Sequence, residues 1–242
     1  MFARSQPLLS PNVSGGGASH DFTRDAYVAL VNVLHVPPAD ISHVAAIGVC
    51  ATNFSNVMVP ALKRGHLSID TAFKYLALNN PFTGENVFAE TGHLPRLVES
   101  MAESVIERVS RGAAVSQPTL AALRGYVASP SEIGIDASVA AFKGLIAGCM
   151  RCFSISAPHQ SAVSSAPDPI AEISALAAEL KWAAMKFPHE VAQVVSRIVE
   201  VPVHPVLSTG VDAILAELSD PGANVAPEVR HVAKVARSQR AR

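Results

Sequence analysis

Residues 94–110 read LPRLVESMAESVIERVS, and their pattern decides the fold class. Leu97, Met101 and Val105 recur at four-residue intervals, and Glu103 falls on the opposite side of the same helical projection. Residues three and four positions apart share one face of an α-helix. The stretch therefore predicts an amphipathic helix that buries its apolar face in a core.

Helical periodicity extends in both directions from this stretch. Pro37 and Pro38 end one helix, and Ser68 and Asp168 are suitable N-caps for others. No segment alternates apolar and polar residues as a half-buried strand does. The chain is therefore predicted to be all-α. The expected further helices cover 22–36, 41–53, 69–80, 118–127, 131–153, 170–187, 189–199 and 206–218.

Composition divides the 242 residues into three expected parts. Residues 1–21, which contain a run of three glycines, are predicted to be an extended, flexible N-terminal arm. Residues 22–218 are predicted to form a single all-helical bundle core. Residues 219–242 are predicted to be a flexible basic tail, with five basic side chains against Glu228 alone in the part from Gly222 onward. Basic tails occur both as phosphate-binding segments and as solubilising ends, and both interpretations stay open.

The low charge content predicts self-association. Hydrophobic residues make up 49% of the chain and charged residues only 16%, which is little charge to cover the surface of a monomer. Residues 41–62 carry no charge and are long enough to test as a membrane span. The polar residues of this run and an expected helix break at Asn53 or Pro60 instead favour burial in protein, so no membrane partner is expected.

Motifs for catalysis or metal binding are weak. Cys149 and Cys152 form a C-x-x-C pair, which can bind zinc or exchange thiols, but their apolar surroundings favour core packing. Nine histidines are scattered singly, and no hydrolase, phosphate-loop or dinucleotide motif is present. We therefore expect no catalytic residue, no metal site, no cofactor and no enzyme activity. A small helical zinc or thiol enzyme using Cys149 and Cys152 is the alternative of another class.

Basic side chains within the predicted helices are candidate phosphate ligands. They either gather along one groove on an RNA backbone or lie apart as isolated surface charges, and sequence alone leaves both possibilities open. The candidate RNA-binding residues are Arg124, Lys143, Arg151, Lys181 and Lys186.

A family resemblance begins at Lys181, where the chain reads KWAAMKFPHEVAQVVS. This stretch resembles the signature of the potexvirus and carlavirus coat proteins, which belong to flexuous filamentous positive-strand RNA viruses. The family's conserved Phe-Asp pair is missing, and Lys186 reverses the charge of its Asp, which lies beside RNA in the family. A weaker likeness lies in VLHVPPADISHVAAIGVCA, residues 33–51. The matching signature residues are Lys181, Trp182, Ala183, Ala184, Phe187, Val191 and Ser196, and the departures are Met185, Lys186, Pro188 and Val195.

The resemblance implies a function as well as a fold. Such coat proteins are all-α, bind single-stranded RNA in a basic groove and form helical filaments by packing an N-terminal arm on the next subunit. It therefore implies a structural capsid protein located in the virion and the host cytoplasm. Lys181 is the one basic residue carried over by motif position. The alternatives within viruses are a nucleoprotein of a negative-strand RNA virus and a Pro-Ala-Ser-rich RNA-coating protein of a fungal virus.

Overall fold

A computed structural model describes residues 59–77, 86–90, 92–156 and 168–240 of the chain. The predicted arm over 1–21 and the helices over 22–36 and 41–53 lie outside these residues, as do Cys50 and most of the uncharged run. The chain divides into two compact units, Met1–Leu97 and Val98–Arg242.

The all-α prediction is confirmed for the described residues, which form helices and contain no β-strand. The helices are α1 Val59–Arg64, α2 Ile69–Leu76, α3 Val87–Glu90, α4 Leu94–Ser110, α5 Gln117–Val127, α6 Pro130–Ser156, α7 Pro169–Lys186, α8 Pro188–Ile198, α9 Pro205–Ser219 and α10 Pro227–Arg240.

The first unit contains the short helices α1 to α3. The predicted cap of α2 is confirmed, because the Ser68 hydroxyl accepts a hydrogen bond of 3.1 Å from the backbone N–H of Thr71. Asn86 holds the start of α3 near the end of α2. Its side-chain amide donates to the Leu76 carbonyl at 2.7 Å, and its side-chain oxygen accepts from the Phe88 N–H at 2.8 Å. These bonds satisfy backbone groups that the two helix ends leave without partners.

The amphipathic pattern of α4 predicted its buried face. Leu97, Met101 and Val105 are fully buried, and Glu103 is exposed. Val109, one further four-residue interval along the helix, is only half-buried, because the helix ends one residue later at Ser110.

Small residues let the helices of the second unit pack closely. A Cβ atom on Gly148 would lie 2.7 Å from Leu120 Cδ2, so the glycine lets α6 approach α5 closely. Gly210 does the same between α9 and α7, where a Cβ would lie 3.0 Å from Ile173 Cγ2. Such distances are closer than carbon atoms approach without strain. At these two positions a glycine lies directly against a side chain of the neighbouring helix, which would have to shift to admit a larger residue.

Helix α6 is both long and apolar. Its segment Pro130–Arg151 is the one helix in this part of the chain that is long and apolar enough to cross a membrane, and 61% of its most apolar window is buried inside the protein. Phe142, Leu145 and Cys149 are fully buried. A core helix passes the same length and composition test, and this burial shows that α6 packs as one.

The C-terminal segment corrects one prediction. Residues after 218 were expected to form a flexible tail, but Pro227–Arg240 is a helix that packs against α8 and α9. Val229, Ala233 and Ala236 recur at helical spacing and are buried. The sequence prediction missed this helix because its buried face consists of only three small or medium-sized side chains, and most of its other residues are polar or charged.

A tyrosine in α5 gives the second unit a predicted sensitivity to alkaline pH. Burial, with a smaller contribution from the nearby Glu132 charge, raises the pKa of Tyr126 to about 12. An unfolded chain ionises this phenol near pH 10, so it binds fewer protons than the folded chain above that pH, and the free energy of unfolding falls as the pH rises from 10 to 12. We expect a loss of about 1 kcal/mol by pH 11.

Urea denaturation at pH 8 and at pH 11 would measure this loss. Tyr126→Phe is the matched control, because it removes the ionisable hydroxyl and should show a smaller loss between the two pH values than the wild type. Equal losses in the two proteins would contradict the assignment to Tyr126.

Candidate polyanion-binding groove

Two faces of α10 have opposite chemistry. Val229, Ala233 and Ala236 face the core, whereas Arg230, Lys234 and Arg237 recur at intervals of four and three residues on another side. Packing of the apolar stripe on α8 and α9 fixes the helix and so presents the three cations together.

The three cations line a surface groove with a volume of about 650 Å³. Ser219 and Pro221, at the end of α9 and just after it, form part of its lining. Among the described residues, none of the side chains that line the groove is acidic. The complete lining is Ser219, Pro221, Pro227, Arg230, His231, Lys234, Arg237 and Ser238.

Arg230 keeps its charge while it orders the connection from α9 to α10. Its Nη2 donates to the carbonyl oxygens of Ala223 at 2.9 Å and Val225 at 3.3 Å. Its Nε is buried and has no hydrogen-bond partner among the described residues. Carbonyl acceptors hold the guanidinium in place but do not neutralise it, so a positive charge remains at the groove.

Carboxylates near α10 pair with residues outside the groove. Glu228 lies 3.0 Å from His189, and Asp212 accepts from Arg240 at 2.8 Å. Within the described part of the chain, Lys234 and Arg237 have no carboxylate within ion-pair distance. The groove therefore has three cations without an anionic partner in this part of the chain, which is suited to binding an anionic polymer.

Arg124, a predicted RNA ligand, takes part in ion pairs inside the protein. Its Nη1 lies 2.5 Å from Oε2 of Glu172, and its Nε lies 2.5 Å from Oε1 of Glu179. The Arg124 and Glu172 side chains are only 16% and 11% exposed. These pairs join α5 to α7, so the structure gives Arg124 a position in the helix packing.

The signature stretch divides between core and surface. Ala183, Ala184 and Val191 are buried, whereas Trp182 is 57% exposed and Phe187 is 39% exposed. Lys181 pairs with Glu217 at 2.6 Å, and Lys186 Nζ lies 4.0 Å from the centroid of the Trp182 ring. The buried members are the small and aliphatic ones, which pack α7 and α8 on their neighbours.

The remaining predicted residues do not meet at one site. Lys143 is exposed on α6, and Arg151 donates to the Gly112 carbonyl at 2.8 Å. None of the five candidate cations lines the groove of α10. Cys149 is fully buried, and the side chain of Cys152 lies outside the described part of the structure. Among the described residues, no group of three or more His, Cys, Asp or Glu side chains is placed to hold a metal ion.

The candidate site residues missed by the sequence prediction are Arg230, Lys234 and Arg237. Their basic character was recognised, but a flexible tail gives no reason for three side chains to share a surface. The sequence does contain a pattern that predicts them. Apolar residues at 229, 233 and 236 and basic residues at 230, 234 and 237 have the same helical spacing and are shifted by one position, as in an amphipathic helix.

Comparison of the chain with protein-family models, with curated proteins and with solved structures found no match.

Proposed function

We propose that this chain is a structural protein that coats single-stranded RNA, binding it through sequence-tolerant phosphate contacts and assembling with copies of itself. The observation that carries the proposal is the groove of α10, in which Arg230, Lys234 and Arg237 have no carboxylate partner among the described residues. Lysine and arginine contacts of this kind bind phosphates without reading bases.

The spacing of the cations suits a linear polyanion. Residues 230 and 237 are about 10 Å apart along the helix axis, since each residue adds about 1.5 Å. Phosphates in a stacked strand recur at about 3.4 Å per nucleotide, so the row is long enough to contact several of them. Affinity then comes from the sum of the contacts and is sensitive to salt.

Two features of the sequence support assembly and a coat role. The chain has few charges for its length, as expected of a subunit that covers its surface with neighbours. The stretch from Lys181 resembles the coat protein signature of flexuous filamentous viruses. On this proposal the protein acts in the virion and in the host cytoplasm, and the arm over 1–21 joins adjacent subunits.

Electron microscopy of the purified protein with and without single-stranded RNA tests this proposal. We expect filaments or rings with RNA, and we expect the bound RNA to resist nuclease digestion, because the subunits cover it. A monomer that neither binds nor protects RNA in low-salt buffer would refute the coat function.

A further inference from the structure

The end of α7 exposes large apolar side chains beside the groove. Trp182 and Met185 lie three positions apart on one helix face and are 57% and 53% exposed, and Phe187 follows at 39%. Aromatic side chains usually lose most of their exposure on folding because they carry much apolar area. An indole left this exposed is suited to stack on a flat ligand.

A cation lies directly on this indole. Lys186 Nζ is 4.0 Å from the centroid of the Trp182 ring, within the range of a cation–π interaction. An ammonium group covers one face of the ring only, and more than half of Trp182 is exposed. The pair therefore offers a stacking surface and a positive charge within one helical turn.

The segment 217–224 contacts the exposed end of α7 and also forms part of the lining of the α10 groove. Lys181 of α7 lies 2.6 Å from Glu217, and the Asn224 side-chain amide lies 3.5 Å from the sulfur of Met185. Between these two contacts, Ser219 and Pro221 line the groove. The segment that lines the groove therefore also contacts the end of α7 that carries Trp182.

We propose that Trp182 is the stacking platform for an unpaired base of the strand whose phosphates lie in the groove, with Lys186 as a further phosphate contact. The inference rests on the proposed function and extends it, since it makes the ligand a single strand with accessible bases. A duplex keeps its bases stacked inside, and polyphosphate has none. Base stacking on aromatic side chains tolerates any sequence, in agreement with a coat that covers a whole genome.

Trp182 is the only tryptophan in the chain, so its fluorescence reports on this site alone. We expect a single-stranded RNA oligonucleotide to quench the emission, and polyphosphate of equal charge to bind without quenching it. In anisotropy titrations with labelled RNA, Trp182→Leu should weaken binding about tenfold. The affinity of the same variant for polyphosphate, measured by competition, should be within about twofold of that of the wild type, because the cations of the groove are unchanged.

Two further variants separate stacking from general apolar contact. Met185→Leu keeps an apolar side chain on the same face and should bind RNA as the wild type does. Trp182→Phe keeps a smaller ring and should bind with intermediate affinity. Because residues 182 and 185 are both mainly exposed, both substitutions are compatible with folding, which circular dichroism would verify.

The outcomes distinguish this inference from the proposed function. If RNA binds without quenching the Trp182 emission, and if Trp182→Leu binds RNA as tightly as the wild type, the stacking role of Trp182 is overturned but the proposed RNA coating is not. Failure of the wild type to bind RNA overturns both. A blue shift of the emission that grows with protein concentration in the absence of RNA shows that a second copy covers Trp182, and it also overturns the stacking platform.

Discussion

Arg124→Met is expected to lower the free energy of unfolding by about 3 kcal/mol, since it leaves the largely buried Glu172 and the partly buried Glu179 without their cation. Arg124 is 16% exposed and pairs with Glu172, which is 11% exposed, and with Glu179, which is 33% exposed. Methionine replaces the aliphatic part of the side chain, so little of the loss comes from packing. Urea denaturation followed by circular dichroism at 222 nm would measure it.

Two comparisons test this explanation. Arg197→Met removes a surface cation whose ion pair with Asp136 is 45% and 77% exposed, and it should cost less than about 1 kcal/mol. Combining Arg124→Met with Glu172→Gln and Glu179→Gln removes the stranded charges and should recover a large part of the stability. If Arg124→Met were as mild as Arg197→Met, the ion pairs between α5 and α7 would not contribute as described.

Lys234→Gln combined with Arg237→Gln is expected to weaken binding of single-stranded RNA about 25-fold near 0.1 M salt. Each phosphate contact to a single strand contributes about 0.7 to the slope of log affinity against log salt concentration. Because 0.1 M is one decade below about 1 M, where such contacts contribute little, two contacts account for about 1.4 decades of affinity. Arg230 is left in place because its hydrogen bonds to Ala223 and Val225 order the approach to α10. Anisotropy of a labelled oligonucleotide would measure the affinity.

Lys74→Gln combined with Arg96→Gln is the matched control for charge. Both side chains are exposed and neither lines the groove, and the pair of substitutions makes the same change in net charge. This variant should retain affinity within about threefold of the wild type, as expected if only the general field of the protein changes. Equal weakening by the two double variants would mean that net charge, and not the groove, determines binding.

Local sequence patterns were sufficient to predict seven of the ten helices of the described region, whereas α1, α3 and α10 were not predicted. The four-residue spacing of Leu97, Met101 and Val105 predicted the buried face of α4, and Asp168 predicted the start of α7, where its carboxylate accepts from the Ile170 N–H at 3.0 Å. These features depend on residues within one or two helical turns of each other. Over that distance, the spacing of residues in the sequence determines which face of the helix they occupy.

The candidate site could not be predicted in the same way, because it depends on contacts between distant segments. Arg124 reaches Glu172 and Glu179 only because α5 packs beside α7, and nothing near Arg124 in sequence indicates those partners. Charge alone made Arg124 a ligand candidate. The opposite error occurred at α10, where a high density of charge predicted a flexible tail although Val229, Ala233 and Ala236 bind it to the core.

The salt dependence of RNA binding tests the central claim most directly, because it counts the phosphates that the protein neutralises. With three cations in the groove, a plot of log affinity against log salt concentration should fall with a slope of about −2 or steeper for the wild type. The Lys234→Gln and Arg237→Gln double variant should flatten that slope by about 1.4. A wild-type affinity that does not change with salt, or a slope that the double variant leaves unchanged, would contradict phosphate binding by the groove of α10.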